Sequence, residues 1–261
     1  MKTLTSKENP CIKQAVALRK SAAERRAQSR FFLEGFRLCA DALASGYAPV
    51  QLFCTSAARQ KYDTTGLEAA AAEGYEIPES LAAKLGETET PQGVFAVFSM
   101  AFPAAHQNFW EPCGRYIALE QVQDPGNLGA IARTAEALGV TGLLCSGGCD
   151  PYHPKAQRAA MGALLRWPVL TAVDFCDGLQ QAKALGLQTY AAVPDATATP
   201  VTQVHFGDGA VIAIGNEGSG LSEAALAVCG ERITIPMPGR AESLNAAAAA
   251  TILLWRLTTG G

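Results

Sequence analysis

The chain contains no run of 18 or more apolar residues, which excludes a membrane-spanning helix at the level of sequence. Its first residues, MKTLTSKENPCIKQ, lack the apolar stretch of a signal peptide, and a cytoplasmic protein is expected. It holds only three histidines, His106, His153 and His205. Each lies in loop-like sequence without a Ser/Asp or Cys partner pattern, so a structural or surface role is expected rather than catalysis. The eight cysteines form no CxxC pair and no Cys/His group at zinc spacing. Cys145 and Cys149 lie close in sequence but lack a third ligand, so reduced thiols and no metal are expected. Nor is there a basic excess: 21 Lys and Arg stand against 24 Asp and Glu, a net charge of -3. Taken as an average, that argues against a polyanionic partner.

The average hides an asymmetry. Residues 1–40 carry nine Lys/Arg and three Asp/Glu, and the remainder carries twelve and twenty-one. A local basic face of this kind suffices for RNA, although a solvated helix face has the same signature. Lys13, Arg19, Arg30 and Arg37 are the candidate contacts in this stretch. With 261 residues, 49% of them hydrophobic and 17% charged, the composition is that of a globular protein of one or two domains, and two are expected.

Periodicity predicts a helix from Asn9 to Gln28, a strand over Arg30 to Glu34, a helix from Phe36 to Ser45, a strand from Val50 to Thr55 and a helix from Leu67 to Glu73 stopped by Gly74. GVFAVFSM, 93–100, reads as the closing strand of this small α/β unit, 1–102, and 103–114 as a linker. From 115 to 261 the pattern alternates strand and helix, hence a parallel sheet with helices on both faces. QRAAMGALLR is read there as one helix, ITIPMP, 233–238, as the last strand, and SLNAAAAATILLWRL, 243–257, as a long apolar helix. Phe31 and Phe32 offer stacking surfaces for bases, but their alternation with Leu33 favours strand core.

Three segments follow predicted strands, where open parallel sheets hold ligands. In Asp124-Pro-Gly-Asn-Leu-Gly-Ala-Ile-Ala-Arg133 the glycines permit a tight turn, and Asn127 and Arg133 offer fixed polar groups; Arg133 can hold a phosphate by a forked contact. GxGxxG is absent, which argues against a dinucleotide enzyme. Ile214-Gly-Asn-Glu-Gly-Ser-Gly-Leu-Ser222 resembles a phosphate cradle but lacks its lysine, and Glu217 repels a triphosphate while suiting a loop that orients backbone donors or faces a cation such as a sulfonium. In Ile235-Pro-Met-Pro-Gly-Arg-Ala-Glu-Ser-Leu-Asn245 a strand stops, and Ser243 or Asn245 can cap the helix that follows.

In this order and spacing the segments closely resemble the three signature motifs of the SpoU (TrmH) family of RNA ribose 2′-O-methyltransferases, in the SPOUT superfamily, over about residues 115–257. SKENPCIKQ, FFLEGFRL and ETPQGVFAVF likewise resemble that family's L30e-like substrate-binding domain. The resemblance implies a trefoil knot in the C-terminal sheet, which strand counting could not foresee because knots are nearly absent elsewhere. It implies S-adenosyl-L-methionine as cofactor, bound around Ile214, Gly215, Gly218, Ile235, Met237, Leu244 and Asn245. By the same resemblance Asn127, Arg133, Glu217, Ser243 and Asn245 are the functional positions, and Arg158 with Gly162, in PKAQRAAMGA, match a further basic, RNA-facing segment. Many relatives carry serine where Ala160 stands, and the helix after Asn245 is plainer in alanine than usual.

The implied partners are RNA, ribosomal RNA before transfer RNA, and a second copy of the chain in a homodimer, the apolar C-terminal helix offering a surface to bury. Methyl transfer requires in-line placement of the ribose hydroxyl and loss of its proton. A guanidinium, with an ordinary pKa above about 12, seldom acts as a base, so Arg133 is assigned positioning and charge stabilisation, with base catalysis reserved for strong perturbation by RNA phosphate or burial. Asn127 and Asn245 orient these groups, Glu217 anchors the arginine or the loop, and Ser243 faces the cofactor or Arg133. Two rival classes are a non-catalytic RNA-binding protein with a degenerate second half, against which the intact motifs stand, and an oxidoreductase or nucleotide-dependent enzyme, which lacks its fingerprints.

Overall fold

The computed structural model describes residues 1–100 and 109–260. His106 and the expected linker as far as residue 108 lie outside the described residues. The chain forms two compact units, Met1–Ala105 with Tyr152–Arg166, and His106–Pro151 with Trp167–Gly261.

The first unit contains β1 (Lys2–Thr3), α1 (Pro10–Lys20), α2 (Ala22–Gln28), β2 (Arg30–Glu34), α3 (Phe36–Ala44), β3 (Pro49–Cys54), α4 (Ser56–Lys61), α5 (Thr65–Ala70), β4 (Glu73–Glu76), α6 (Glu79–Leu85) and β5 (Val94–Ser99). Its sheet runs β1-β4-β3-β5-β2. Strand alternation buries both faces: Phe31, Leu33, Leu52 and Phe98 share one apolar cluster, and Phe32, Phe53, Phe95 and Val97 the other. Phe31 and Phe32 are therefore core residues, at 0% and 1% exposure.

Two local readings differ from the structure in this unit. The helix expected over Asn9 to Gln28 breaks at Ser21, whose extended backbone ends α1 while its hydroxyl accepts from Glu24 N and starts α2. A serine that satisfies an orphan N–H competes with helix continuation. Gly74 does not stop a helix; it sits inside β4, opposite Leu52 of β3. Tertiary strand pairing overrides the local glycine signal there.

The second unit begins with β6 (Arg115–Glu120), α7 (Pro125–Ala137) and β7 (Gly142–Ser146). The next two elements, α8 (Pro154–Ala160) and α9 (Ala163–Arg166), belong to the first unit. Leu165 packs into the Phe31 cluster, the Tyr152 ring lies tilted against Phe31 with ring centroids 4.6 Å apart, and Arg166 lies 3.5 Å from Asp41. The expected single helix here is two, because Met161 and Gly162 take left-handed backbone at φ 51° and 87°. The second unit continues with β8 (Val169–Ala172), α10 (Phe175–Ala184), β9 (Gln188–Ala192), β10 (Thr199–Pro200), β11 (Ala210–Ile214), α11 (Glu223–Val228), β12 (Glu231–Thr234) and α12 (Ala246–Thr259).

The strand expected at 233–238 is shifted: β12 spans Glu231–Thr234. Pro236 and Pro238 follow, and proline cannot donate to a ladder. The seven strands lie in the order β10-β12-β9-β11-β6-β7-β8, every pair parallel. Tyr116, Ala118, Val211 and Ala213 cover one face with Leu179 of α10 and Ala225 of α11. On the other, α7 packs on β7 and α12 packs on α7, β6 and β11. Successive strands from β6 run outward to one edge, whereas β11 lies on the other side of β6. The crevice at such a reversal, beyond the carboxyl ends of the strands, is where open α/β sheets bind ligands.

Candidate functional site

The loops leaving β6, β11 and β12 are the three motif segments, and a few side chains fasten them together. After β6, Asp124 caps α7 by accepting from the amides of Gly126 and Asn127. After β11, Glu217 accepts from Gln123 N at 3.0 Å, Asp124 N at 3.2 Å and Asn127 Nδ2 at 2.9 Å. Asn127 Oδ1 in turn accepts from Asn245 Nδ2 at 3.0 Å, while Asn245 Oδ1 caps α12 through Ala247 N and Ala248 N. Residues more than 90 positions apart thus meet in one polar chain. Of the two capping alternatives, Asn245 is the residue that caps.

The β11 loop is shaped from within by Asn216. Its Oδ1 accepts from Gly218 N at 2.9 Å and Ser219 N at 3.0 Å, its Nδ2 donates to Gln121 O at 2.9 Å, and its backbone pairs in both directions with Gly220. The loop folds back so tightly that a Cβ on Gly215 would lie 2.0 Å from the Gly220 carbonyl carbon. No side chain fits there, which gives Gly215 its physical reason.

A cavity of about 720 Å³ opens between these loops. All seven expected cofactor residues line it: Ile214, Gly215, Gly218, Ile235, Met237, Leu244 and Asn245. Glu217 and Ser243 line it too, with Glu223 and Glu242 adding acidic groups and Val193, Leu226 and Leu253 apolar ones. Burial raises the Glu217 carboxyl, but the amides of Gln123 and Asp124 and the Asn127 side chain outweigh it, and the net effect holds the group below its ordinary value. The loop therefore carries a fixed negative charge at neutral pH.

Arg133 is placed elsewhere. It lines a second cavity, of about 710 Å³, with Ile252, Trp255 and Arg256 of α12 and with Ile235, which borders both cavities. Six positions past Asn127 on α7, it projects from a different side of the helix. Among the described residues no bond joins it to Glu217, which anchors the loops and not the arginine. Of the expected RNA contacts, Lys13 is exposed and pairs with Glu8 at 2.6 Å, Arg37 is exposed and Arg30 half-buried. Arg19 and Arg158 are engaged internally: Arg19 Nη1 donates to Lys84 O, Leu85 O and Gly86 O, and Arg158 pairs with Glu87 at 2.9 Å. His153 caps α8 through Nδ1 and Lys155 N. Among the described residues no group of three or more His, Cys, Asp or Glu is placed to hold a metal.

Asn216 lies outside the expected site residues, although an asparagine two residues before a glycine in a glycine-rich loop is the pattern of a side chain that builds its own turn.

Comparison with known proteins gives one consistent result. The model of the SpoU rRNA Methylase family matches residues 114–255, and that of the MRM3-like substrate binding domain matches residues 9–96. An uncharacterized tRNA/rRNA methyltransferase of Synechocystis is 34% identical over 260 residues, 97% of this chain and 92% of the relative. The 23S rRNA (guanosine(2553)-2′-O)-methyltransferase RlmP of Bacillus subtilis is 30% identical over 259 residues, 98% and 99% of the two chains. The crystal structure of an AdoMet-bound rRNA methyltransferase from Sinorhizobium meliloti superimposes with a TM-score of 0.87 at 29% identity, covering 98% of this chain and 97% of that one.

A carboxyl held below its ordinary value stabilises the fold at neutral pH and loses that contribution as pH falls through its folded value. Glu217→Gln should therefore lower stability by about 1 kcal/mol near pH 7, solvent screening keeping the effect to that size. The difference from wild type should shrink as pH falls below the ordinary glutamate range, through the lowered folded value. Thermal melting of both proteins across this range checks it, and a difference that stays constant would refute the assigned ionisation.

Proposed function

This chain belongs to the SpoU rRNA Methylase family, and from that premise we propose that it transfers a methyl group from S-adenosyl-L-methionine to a ribose 2′-hydroxyl of ribosomal RNA. The observation that carries the reading is the convergence of the three motif loops, cross-linked through Glu217, Asn127 and Asn245, on one cavity. Similarity to a 23S rRNA enzyme over nearly the whole chain favours ribosomal RNA, and the substrate-binding domain match favours the first unit as the part that holds it.

The cavity fits the cofactor by its size, which lies in the range of small-molecule sites, and by its lining. Val193, Leu226 and Leu253 suit an apolar ring, the backbone of the β11 loop offers donors and acceptors, and Glu217 and Glu242 suit a cation. Bound there, S-adenosyl-L-methionine supplies a methyl group activated by its positively charged sulfur. Asn127, Glu217 and Asn245 hold the loops in register so that the ribose oxygen can be brought into line. Ser243, on the cavity wall, contacts cofactor or ribose. Arg133 binds RNA phosphate and stabilises charge as the hydroxyl loses its proton. The trefoil knot is assigned to the segments after β11 and β12 whose loops form this cavity.

The second cavity points to a homodimer. Ile252 and Trp255 are 40% and 57% exposed on α12, beside Arg133, an apolar surface that a second copy would cover. In a two-fold interface each copy presents the same patch, and because Ile235 borders both cavities, Arg133 of one copy is carried toward the cofactor loops of the other. No helix among the described residues is long and apolar enough to cross a membrane, and the cytoplasm is assigned as the site of action. Lys13, Arg30 and Arg37 are assigned to RNA, while Arg19 and Arg158 act by shaping the first unit.

Incubation of the protein with radiolabelled cofactor and ribosomal RNA from cells lacking it should place label on a ribose. Arg133→Ala should reduce transfer on the order of 10² or more and leave cofactor affinity within about threefold. Label in transfer RNA alone would move the substrate, and no label in either RNA would overturn the reading. In sedimentation at micromolar concentration the protein should run as a dimer and Trp255→Glu as a monomer; a wild-type monomer would remove the shared-site assignment.

A further inference from the structure

The β11 loop is gripped at two places. Its first half is held by Asn216 and Glu217, both of which border the cavity. Its far end is held by Glu120, the last residue of β6, which is not among the cavity-lining residues. The Glu120 carboxylate accepts from Ser222 N at 2.8 Å through Oε2 and from Ser222 Oγ at 2.7 Å through Oε1. Ser222 Oγ also accepts from Ala225 N at 3.1 Å and so caps α11.

A hydroxyl has one proton to give and two lone pairs to offer. With the proton committed to Glu120, a lone pair is left for Ala225 N, so one carboxylate fixes the backbone at Ser222, the hydroxyl rotamer and the start of α11. Between the two grips only four residues, 218–221, remain, and all four line the cavity. Leu221 is 8% exposed and packs with Ala225 in the core beneath the loop. Asn216 holds residues 218–220 from within, so releasing Ser222 loosens the exit of the loop at Leu221 and the start of α11, whose Glu223 and Leu226 also line the cavity, without removing an atom from the wall.

We infer that Glu120 is a positioning residue for cofactor binding, acting through Ser222 to hold the β11 loop from outside the cavity. The inference rests on the assignment of the cavity to the cofactor. Charge-assisted bonds are the stronger hydrogen bonds, and their loss weakens what they position.

The test is calorimetric binding of S-adenosyl-L-homocysteine to wild type, Glu120→Ala, Glu120→Gln, Ser222→Ala and the Glu120→Ala/Ser222→Ala double variant. Thermal melting of each cofactor-free protein monitors folding. Glu120→Ala should raise Kd about tenfold, and Glu120→Gln, which keeps one acceptor oxygen, should raise it less. The double variant should lose no more than the worse single, and kcat at saturating cofactor should stay within about twofold. A Kd for Glu120→Ala within twofold of wild type, additive losses, or an equal fall in saturated kcat would overturn the inference. Should Glu120→Ala fail to fold, Glu120→Gln carries the same test with a smaller expected change. Wild type that does not bind the probe would instead overturn the functional assignment, a result distinct from a wild type that binds beside an indifferent variant.

Discussion

The cavity between the three motif loops depends on the carboxylate of Glu217 taking three donors from the loop that follows β6. Those donors are two backbone amides and one side-chain amide, groups that would otherwise need water or another partner at the head of α7. Because Asn127 spends its nitrogen on Glu217, its oxygen faces Asn245, and the order of the chain Glu217, Asn127, Asn245 is set by the donor and acceptor inventory of each group. Each link is an ordinary hydrogen bond. Their combined effect is to tie the exit of β6 to those of β11 and β12, which follow much later in the sequence, in one surface.

The sheet makes that surface possible. In an all-parallel sheet every strand delivers its carboxyl end to the same edge, and β6 and β11 are neighbours in register, Arg115 with Ala210 through Leu119 with Ile214. Glu120 and Gly215 therefore leave side by side. Close approach is then purchased with glycine: Gly215 under the folded-back β11 loop, and Gly148, where a Cβ would fall 2.3 Å from Val122 O. Loop docking and helix stability share these contacts, since the asparagine that links Asn127 to the third loop also caps α12.

Much of this was legible from the chain alone. Alternation of apolar strands and helices revealed the parallel sheet, and the three polar glycine-containing segments marked the loops that meet at the cavity. What was missed depends on long-range geometry. Gly74 reads locally as a helix stop but pairs with Leu52 across a sheet. The segment 152–166 continues the strand and helix rhythm of the second half, yet Leu165 and Tyr152 bury themselves on Phe31. Arg19 looks like a free cation on a basic helix, and its donation to three carbonyls at the end of α6 is invisible without the fold. Helical spacing alone places Arg133 away from Asn127, but the second cavity it lines is formed with α12 and the 3₁₀ turn Val201–Gln203, which no local pattern announces.

If the three loops act as one unit, Glu217 and Asn245, which are linked only through Asn127 in the polar chain, must be energetically coupled in cofactor binding. The direct measurement is a double-mutant cycle on S-adenosyl-L-homocysteine affinity with Glu217→Gln and Asn245→Ser, the serine retaining a helix-capping oxygen while falling short of Asn127. The account predicts a coupling of about 1 kcal/mol that disappears when Asn127 is alanine. Losses that add to within about 0.3 kcal/mol with Asn127 present would contradict it.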